Sequence, residues 1–128
     1  MTPDEHQSLD RLTDRVLNAV FEVANTLGAG FLEKVYHRAL LRELRLRGIA
    51  AVSEASFSVI YKNQSVGEYF ADILVEDALV IELKCVERLT NDHMAQCLNY
   101  LRASGLSVCL LLNFQKPTVE WKRVVLNF

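Results

Sequence analysis

The chain has 128 residues, a formal charge of −2, a pI near 5.9, and 51% hydrophobic against 23% charged residues. That length suits one domain spanning residues 1–128, and the balance excludes a disordered chain and predicts a folded core. It also counts against a module that grips nucleic acid chiefly by neutralising phosphates, though less against an enzyme whose metal ions supply positive charge.

The first element is a helix. Thr2 can cap it, Pro3 suits its first position, and Glu5 fits a capping box at the positive end of the dipole. Leu9, Leu12, Val16, Val20, Val23 and Leu27 then recur at steps of three and four as one apolar stripe, which Gly28-Ala29-Gly30 ends. A second helix is predicted over residues 31–47, with Leu32, Val35, Ala39 and Leu46 inward and Gly48 closing it. The period then changes. Residues 51–61 have the β-branched and aromatic character of a strand, and Lys62-Asn63-Gln64 suits a turn. Strands over 66–75 and 79–86 follow, joined by Glu76-Asp77-Ala78. Thr90 or Asn91 starts a third helix that runs to Ser104 and stops at Gly105. Residues 106–114 read as a buried strand and 119–126 as an edge strand. The order ααβββαββ predicts an α/β (α+β) fold, a mixed sheet flanked by helices.

Cys85, Cys97 and Cys109 sit singly in apolar runs and are expected to be buried free thiols, because their spacing fits neither a zinc pattern nor a redox pair. The first ten residues lack the organisation of a signal peptide, and no apolar run is long enough to span a bilayer. A cytoplasmic protein without a membrane partner is the expectation.

The chemistry centres on Asp72…Glu82-Leu83-Lys84. Glu82 and Lys84 are two apart on a strand and point to one face. If Glu76, Asp77 and Ala78 form a three-residue loop, Val75 faces Leu79 and Asp72 falls opposite Glu82 on that same face. A two-residue loop would separate them. Adjacent carboxylates in an apolar setting repel unless a proton or cation lies between them. Magnesium, or manganese in its place, suits such an oxygen site, with the Leu83 carbonyl as a further ligand. Lys84 could then orient or deprotonate a water and stabilise charge on a phosphate. The alternative is a structural pair, Asp72–Lys84 or Glu82–Lys84, on a partly exposed sheet face. The helices add candidates: Glu33 and Tyr36 three apart, and Gln96 and Tyr100 four apart with His93 on the same side. For the tyrosines core packing competes with a site role, and for His93 helix capping does.

Gly30-Phe31-Leu32-Glu33-Lys34-Val35-Tyr36 carries the signature G-x-x-E-x-x-Y. With Tyr69-Phe70-Ala71-Asp72, Val80-Ile81-Glu82-Leu83-Lys84, Gln96 to Tyr100 and Leu111-Leu112-Asn113-Phe114, the chain resembles the GxxExxY proteins over about residues 16–126. The resemblance implies a restriction-endonuclease-like PD-(D/E)XK core in a bacterial and archaeal group. It implies that Asp72, Glu82 and Lys84 are the metal and catalytic triad, that Glu33 is the acidic residue of the preceding helix, and that Gln96 and Tyr100 match the Q-x-x-x-Y pattern of RecB-like nucleases. Ala71 replaces the Pro of the superfamily's name, and Phe70 stands where related sequences often carry Arg, which removes a phosphate contact.

The leading expectation is a magnesium-dependent nuclease-like phosphodiesterase acting on DNA or RNA. Asp72 and Glu82 would hold the metal, joined by Glu33 and the Leu83 carbonyl. Lys84 would assist the nucleophile, and Gln96, Tyr100 and Tyr36 would position the site. The alternative is a catalytically weak or inactive nuclease-fold module that binds nucleic acid or a protein partner, which the low positive charge and small size favour. A small-molecule enzyme of nucleotide metabolism is the third reading, since fold does not fix substrate. The apolar edge strand also offers a surface for a homodimer.

Overall fold

The computed structural model describes residues 1–127. Helix α1 (Pro3–Leu27) begins where the Thr2 hydroxyl accepts the Glu5 N–H, and it ends at Gly28, whose φ of 73° is costly for other residues. Helix α2 (Glu33–Leu46) follows. Strands β1 (Ala51–Tyr61) and β2 (Gln64–Val75) form a long hairpin closed by Lys62 and Asn63, both with positive φ, the turn geometry that matches strand twist. Strand β3 (Leu79–Lys84), helix α3 (Asn91–Ser104), strand β4 (Val108–Asn113) and strand β5 (Glu120–Val125) complete the chain.

The five strands form one sheet in the order β1-β2-β3-β4-β5, with β3 and β4 parallel and the other pairs antiparallel. The parallel pair requires a crossover, and α3 supplies it. Helices α1 and α2 cover one face, burying Val16, Val20, Leu40 and Leu44 against Ile73, Ile81, Leu110 and Leu112. Helix α3 covers the other face, where Cys97, Tyr100 and Leu101 meet Ala71, Val80, Cys109 and Leu111. Burial on both faces explains why β3 and β4 read as continuous apolar runs. Among the described residues no helix is long and apolar enough to cross a membrane.

Several expectations change in detail. The inward residues of α2 are Tyr36, Leu40 and Leu44, whereas Leu32 and Leu46 are exposed and Val35 and Ala39 half-buried. Leu32 is the extended residue before the helix, so counting its stripe from there rotates the face. Strand β3 ends two residues early, at Lys84, because the Val86 N–H turns to the Asn113 side chain. Cys97 and Cys109 are buried, while Cys85 is only half-buried. His93 caps α3, its Nδ1 accepting the Thr90 N–H.

The outer hairpin does not continue the inner one evenly. Ile73 and Val75 face α1 and α2, yet Tyr69 and Ala71, at the same alternation, pack on the α3 side. The change falls at Asp72, opposite Glu54, whose φ of 57° is rare for a residue with a Cβ. Such distortions re-aim side chains beside functional sites.

Candidate active site

Val75 pairs with Leu79, the register that the three-residue loop requires, and Leu74 and Ile73 pair with Val80 and Ile81. One step further the strands splay, and side chains take over the hydrogen bonds. The Asp72 N–H donates to Glu82 Oε1 at 3.1 Å, and the Leu83 N–H donates to Asp72 Oδ2 at 2.8 Å. Each carboxylate therefore satisfies a backbone donor of the other strand. Because the N–H and C=O of one strand residue point the same way, the Leu83 carbonyl also faces β2.

Glu82 is 2% exposed. Burial, followed by the charge of Asp72, pushes its carboxyl up to about 9, outweighing the Asp72 N–H and Lys84, which pull the other way. The metal-free site thus holds a neutral Glu82 at neutral pH. Lys84 Nζ donates to Gln96 Oε1 at 3.2 Å, and Gln96 Nε2 donates to the Tyr100 hydroxyl at 3.4 Å. The ion pairs among the described residues, Arg47–Glu43 and Arg123–Asp10, lie elsewhere, so Lys84 is not locked in a structural salt bridge with either carboxylate. Burial and then the nearby carboxylates raise the Tyr100 hydroxyl well above its ordinary range, which keeps its proton in place. Asp72, Glu82, Lys84, Gln96 and Tyr100 therefore converge on the α3 face.

Two other candidates do not join them. Among the described residues no three His, Cys, Asp or Glu side chains gather closely enough to hold a metal, so Glu33 is not grouped with Asp72 and Glu82. It is exposed at the start of α2, where its charge raises the Cys85 thiol after burial has done so. Tyr36 is 1% exposed, stacks on Phe114 with ring centroids 4.7 Å apart, donates to the Gly28 carbonyl at 2.6 Å and accepts the Phe31 N–H. It packs on the α1 and α2 side of the sheet and clasps the loop between them, contacts that give it a structural role.

Asn113 is a residue that motif reading undervalues. It is 1% exposed, accepts the Val86 N–H, and donates to the Val86 carbonyl at 2.8 Å and to Glu120. These bonds fix the chain as it leaves Lys84. The available signal was one polar residue closing the apolar run from Val108.

A sheet with this order, crossed by α3 and carrying Asp72, Glu82 and Lys84 on adjoining strand ends, defines a nuclease-type α/β core. Residues 10–124 match the family described as the PD-(D/E)XK nuclease superfamily, and the chain belongs to it. Among solved structures, the crystal structure of SSO0001 aligns with a TM-score of 0.56 at 17% identity, covering 72% of this chain and 48% of that one. An alkaline exonuclease from Laribacter hongkongensis aligns with a TM-score of 0.45 at 15% identity, covering 72% and 54%. The chain thus spans about half the length of these structures, and the first of them supports the fold alone. A comparison with curated proteins finds no match.

Proposed function

We propose that the protein is a magnesium- or manganese-dependent phosphodiesterase that hydrolyses nucleic acid, and that residues 1–128 form one PD-(D/E)XK domain of the GxxExxY type, working in the cytoplasm. The observation that carries this reading is the pairing of Asp72 and Glu82 across the β2–β3 splay, with Lys84 beside them on the same face. The donor set fits the metal. It is oxygen only, and two carboxylates, with the Leu83 carbonyl on the β2 side of its strand as a further oxygen, match the sparse protein ligation that magnesium accepts when waters and phosphates complete its shell. The buried Glu82 also holds a proton that a cation bound beside Asp72 can displace.

A bound divalent ion would polarise the phosphate and lower the pKa of the attacking water. Asp72 and Glu82 would anchor it from two strands. Lys84, held by Gln96, would orient that water and counter charge developing on the phosphate. Tyr100 would fix the Gln96 amide, and so the direction in which Lys84 points. Glu33, whose charge reaches Cys85 beside Lys84, would act on the metal through water, leaving Asp72 and Glu82 as its direct carboxylates.

Thermal melting with and without Mg²⁺ or Mn²⁺, run beside cleavage assays on single- and double-stranded DNA and RNA, tests the proposal. The expected result is a metal-dependent rise in melting temperature and cleavage, both lost in Glu82→Ala. No shift together with no cleavage would overturn it. A shift without cleavage would favour the second reading, a nuclease-fold module that only binds, for which the net charge of −2 and the two-carboxylate site are the supporting observations. Sedimentation of the same sample checks for a homodimer.

A further inference from the structure

A cleft of about 400 Å³ opens between α3 and the outer β1–β2 hairpin, within the range of small-ligand sites. Val59, Ile60 and Ala103 give it apolar walls, and Tyr69, Asn99 and Arg102 add one aromatic ring and two polar groups. It adjoins the catalytic cluster directly. The Tyr69 ring meets Tyr100 edge to face, with centroids 5.5 Å apart, and Tyr100 is the residue that holds Gln96 and through it Lys84. A larger cleft, about 610 Å³, lies by the turn at Glu76, Asp77 and Ala78, at the other end of β3. It sets Glu5, Glu76 and Asp77 against Arg11 and Arg15, a poor surface for a polyanion.

We infer that the cleft beside Tyr69 receives the unpaired base of a nucleotide flanking the scissile phosphate, and hence that the substrate is single-stranded nucleic acid or a frayed end. This rests on the nuclease reading above and names its substrate class. A nucleobase has a flat π-face and a hydrogen-bonding edge. Tyr69, half-buried and held edge-on to Tyr100, offers a stacking surface whose orientation is already set. Arg102 donates to Asn99 Oδ1 at 3.1 Å, which orients the Asn99 amide so that its NH₂ is the donor presented to a base edge. The exposed Arg102 guanidinium also supplies a charge for the adjoining phosphate. A base within a duplex hides its face in the stack, so a cleft of this composition selects unpaired bases.

The test is fluorescence anisotropy of a short labelled oligothymidylate and of a labelled duplex of the same length. It is run with the full chain in Ca²⁺ so that binding is read without turnover. The single strand is expected to bind more tightly than the duplex, and Tyr69→Leu to weaken it roughly ten-fold. Arg102→Ala, an exposed substitution that spares the fold, is expected to lower the salt dependence of single-strand binding by about 0.7 in log–log slope. Equal binding of strand and duplex by the unaltered chain, or unchanged single-strand binding in both variants, overturns the inference. The nuclease reading fails separately, through absence of cleavage in Mg²⁺, whichever way the anisotropy falls.

Discussion

Replacing Glu82 with Gln should make the metal-free protein more stable, and the gain should depend on pH. In the unfolded chain Glu82 loses its proton near the ordinary carboxyl value of 4.5, whereas in the folded protein burial and then Asp72 hold the proton up to about 9. Between those values the folded state carries a proton that the unfolded state has released, so stability falls as pH rises through the window and is fully present only below it. From 4.5 to about pH 8 the difference accumulates at about 1.4 kcal/mol per unit, on the order of 5 kcal/mol in all. Against a total stability of about 5–15 kcal/mol for a domain of this kind, such a term is decisive. Glutamine keeps an oxygen for the Asp72 N–H and has no charge to bury. Urea unfolding of both proteins in chelator at about pH 5 and about pH 8 measures the effect. The curves should nearly coincide at the lower pH and separate by several kcal/mol at the higher. Adding Mg²⁺ at the higher pH should stabilise the unaltered chain and leave Glu82→Gln unmoved, and the apparent metal affinity should rise with pH as the proton is displaced. A difference between the two proteins that does not change with pH would refute the electrostatic reasoning, because better packing alone has no reason to titrate.

Three further substitutions separate the roles given to individual residues. Tyr36→Phe keeps the ring on Phe114 but loses the hydroxyl bonds to Gly28 and Phe31. It should cost about 1–2 kcal/mol in urea unfolding and leave kcat and KM for cleavage unchanged. Asn113→Ala should cost about 1–2 kcal/mol by leaving the half-buried Val86 amide and carbonyl without their side-chain partner and should also lower kcat, since the chain leaving Lys84 loses its anchor. Lys84→Met should preserve Mg²⁺-dependent thermal stabilisation while cleavage falls by about 10²–10⁴, the usual range for a lost proton-transfer group. A loss of metal stabilisation in that variant would place Lys84 in metal binding instead.

The carboxylate pair was legible in the sequence because strand geometry is arithmetic. A three-residue loop between Val75 and Leu79 forces Asp72 opposite Glu82, and an alternation of two puts Lys84 on the face of Glu82. The roles of Glu33 and Tyr36 were not legible in the same way. A spacing of three places them near each other on a helix but does not say which face of the sheet that helix covers. Packing decides that, and it puts α2 with α1, on the side away from the α3 cluster. Tyr36 then serves the core, and the glycine of its motif, Gly30, lies in the loop that it clasps. Tyr69, Asn99 and Arg102 were missed for a related reason. They lie on two elements some thirty residues apart, which meet only because the outer hairpin turns toward α3 at Glu54 and Asp72. A left-handed glutamate in mid-strand has no sequence signature, since only Gly, Asn and Asp advertise that conformation.

That distortion also bears on how the site can work. Where β2 and β3 part, Glu82 uses Oε1 and Asp72 uses Oδ2 to hold the opposite backbone. The second oxygen of each carboxylate is left for other partners. Holding the strands apart and presenting ligand oxygens are therefore two halves of one arrangement. A regular ladder at this step would pair the Asp72 and Leu83 amides with backbone carbonyls and leave nothing to fix the carboxylates in place. The splay makes those amides into positioning groups, and Lys84, tied to Gln96 and not to either carboxylate, stays available for the substrate. The balance of charges follows the same logic. With Glu82 protonated, Asp72 and Lys84 balance in the metal-free site, and a dication that displaces that proton would leave a net positive charge just where a phosphate must approach.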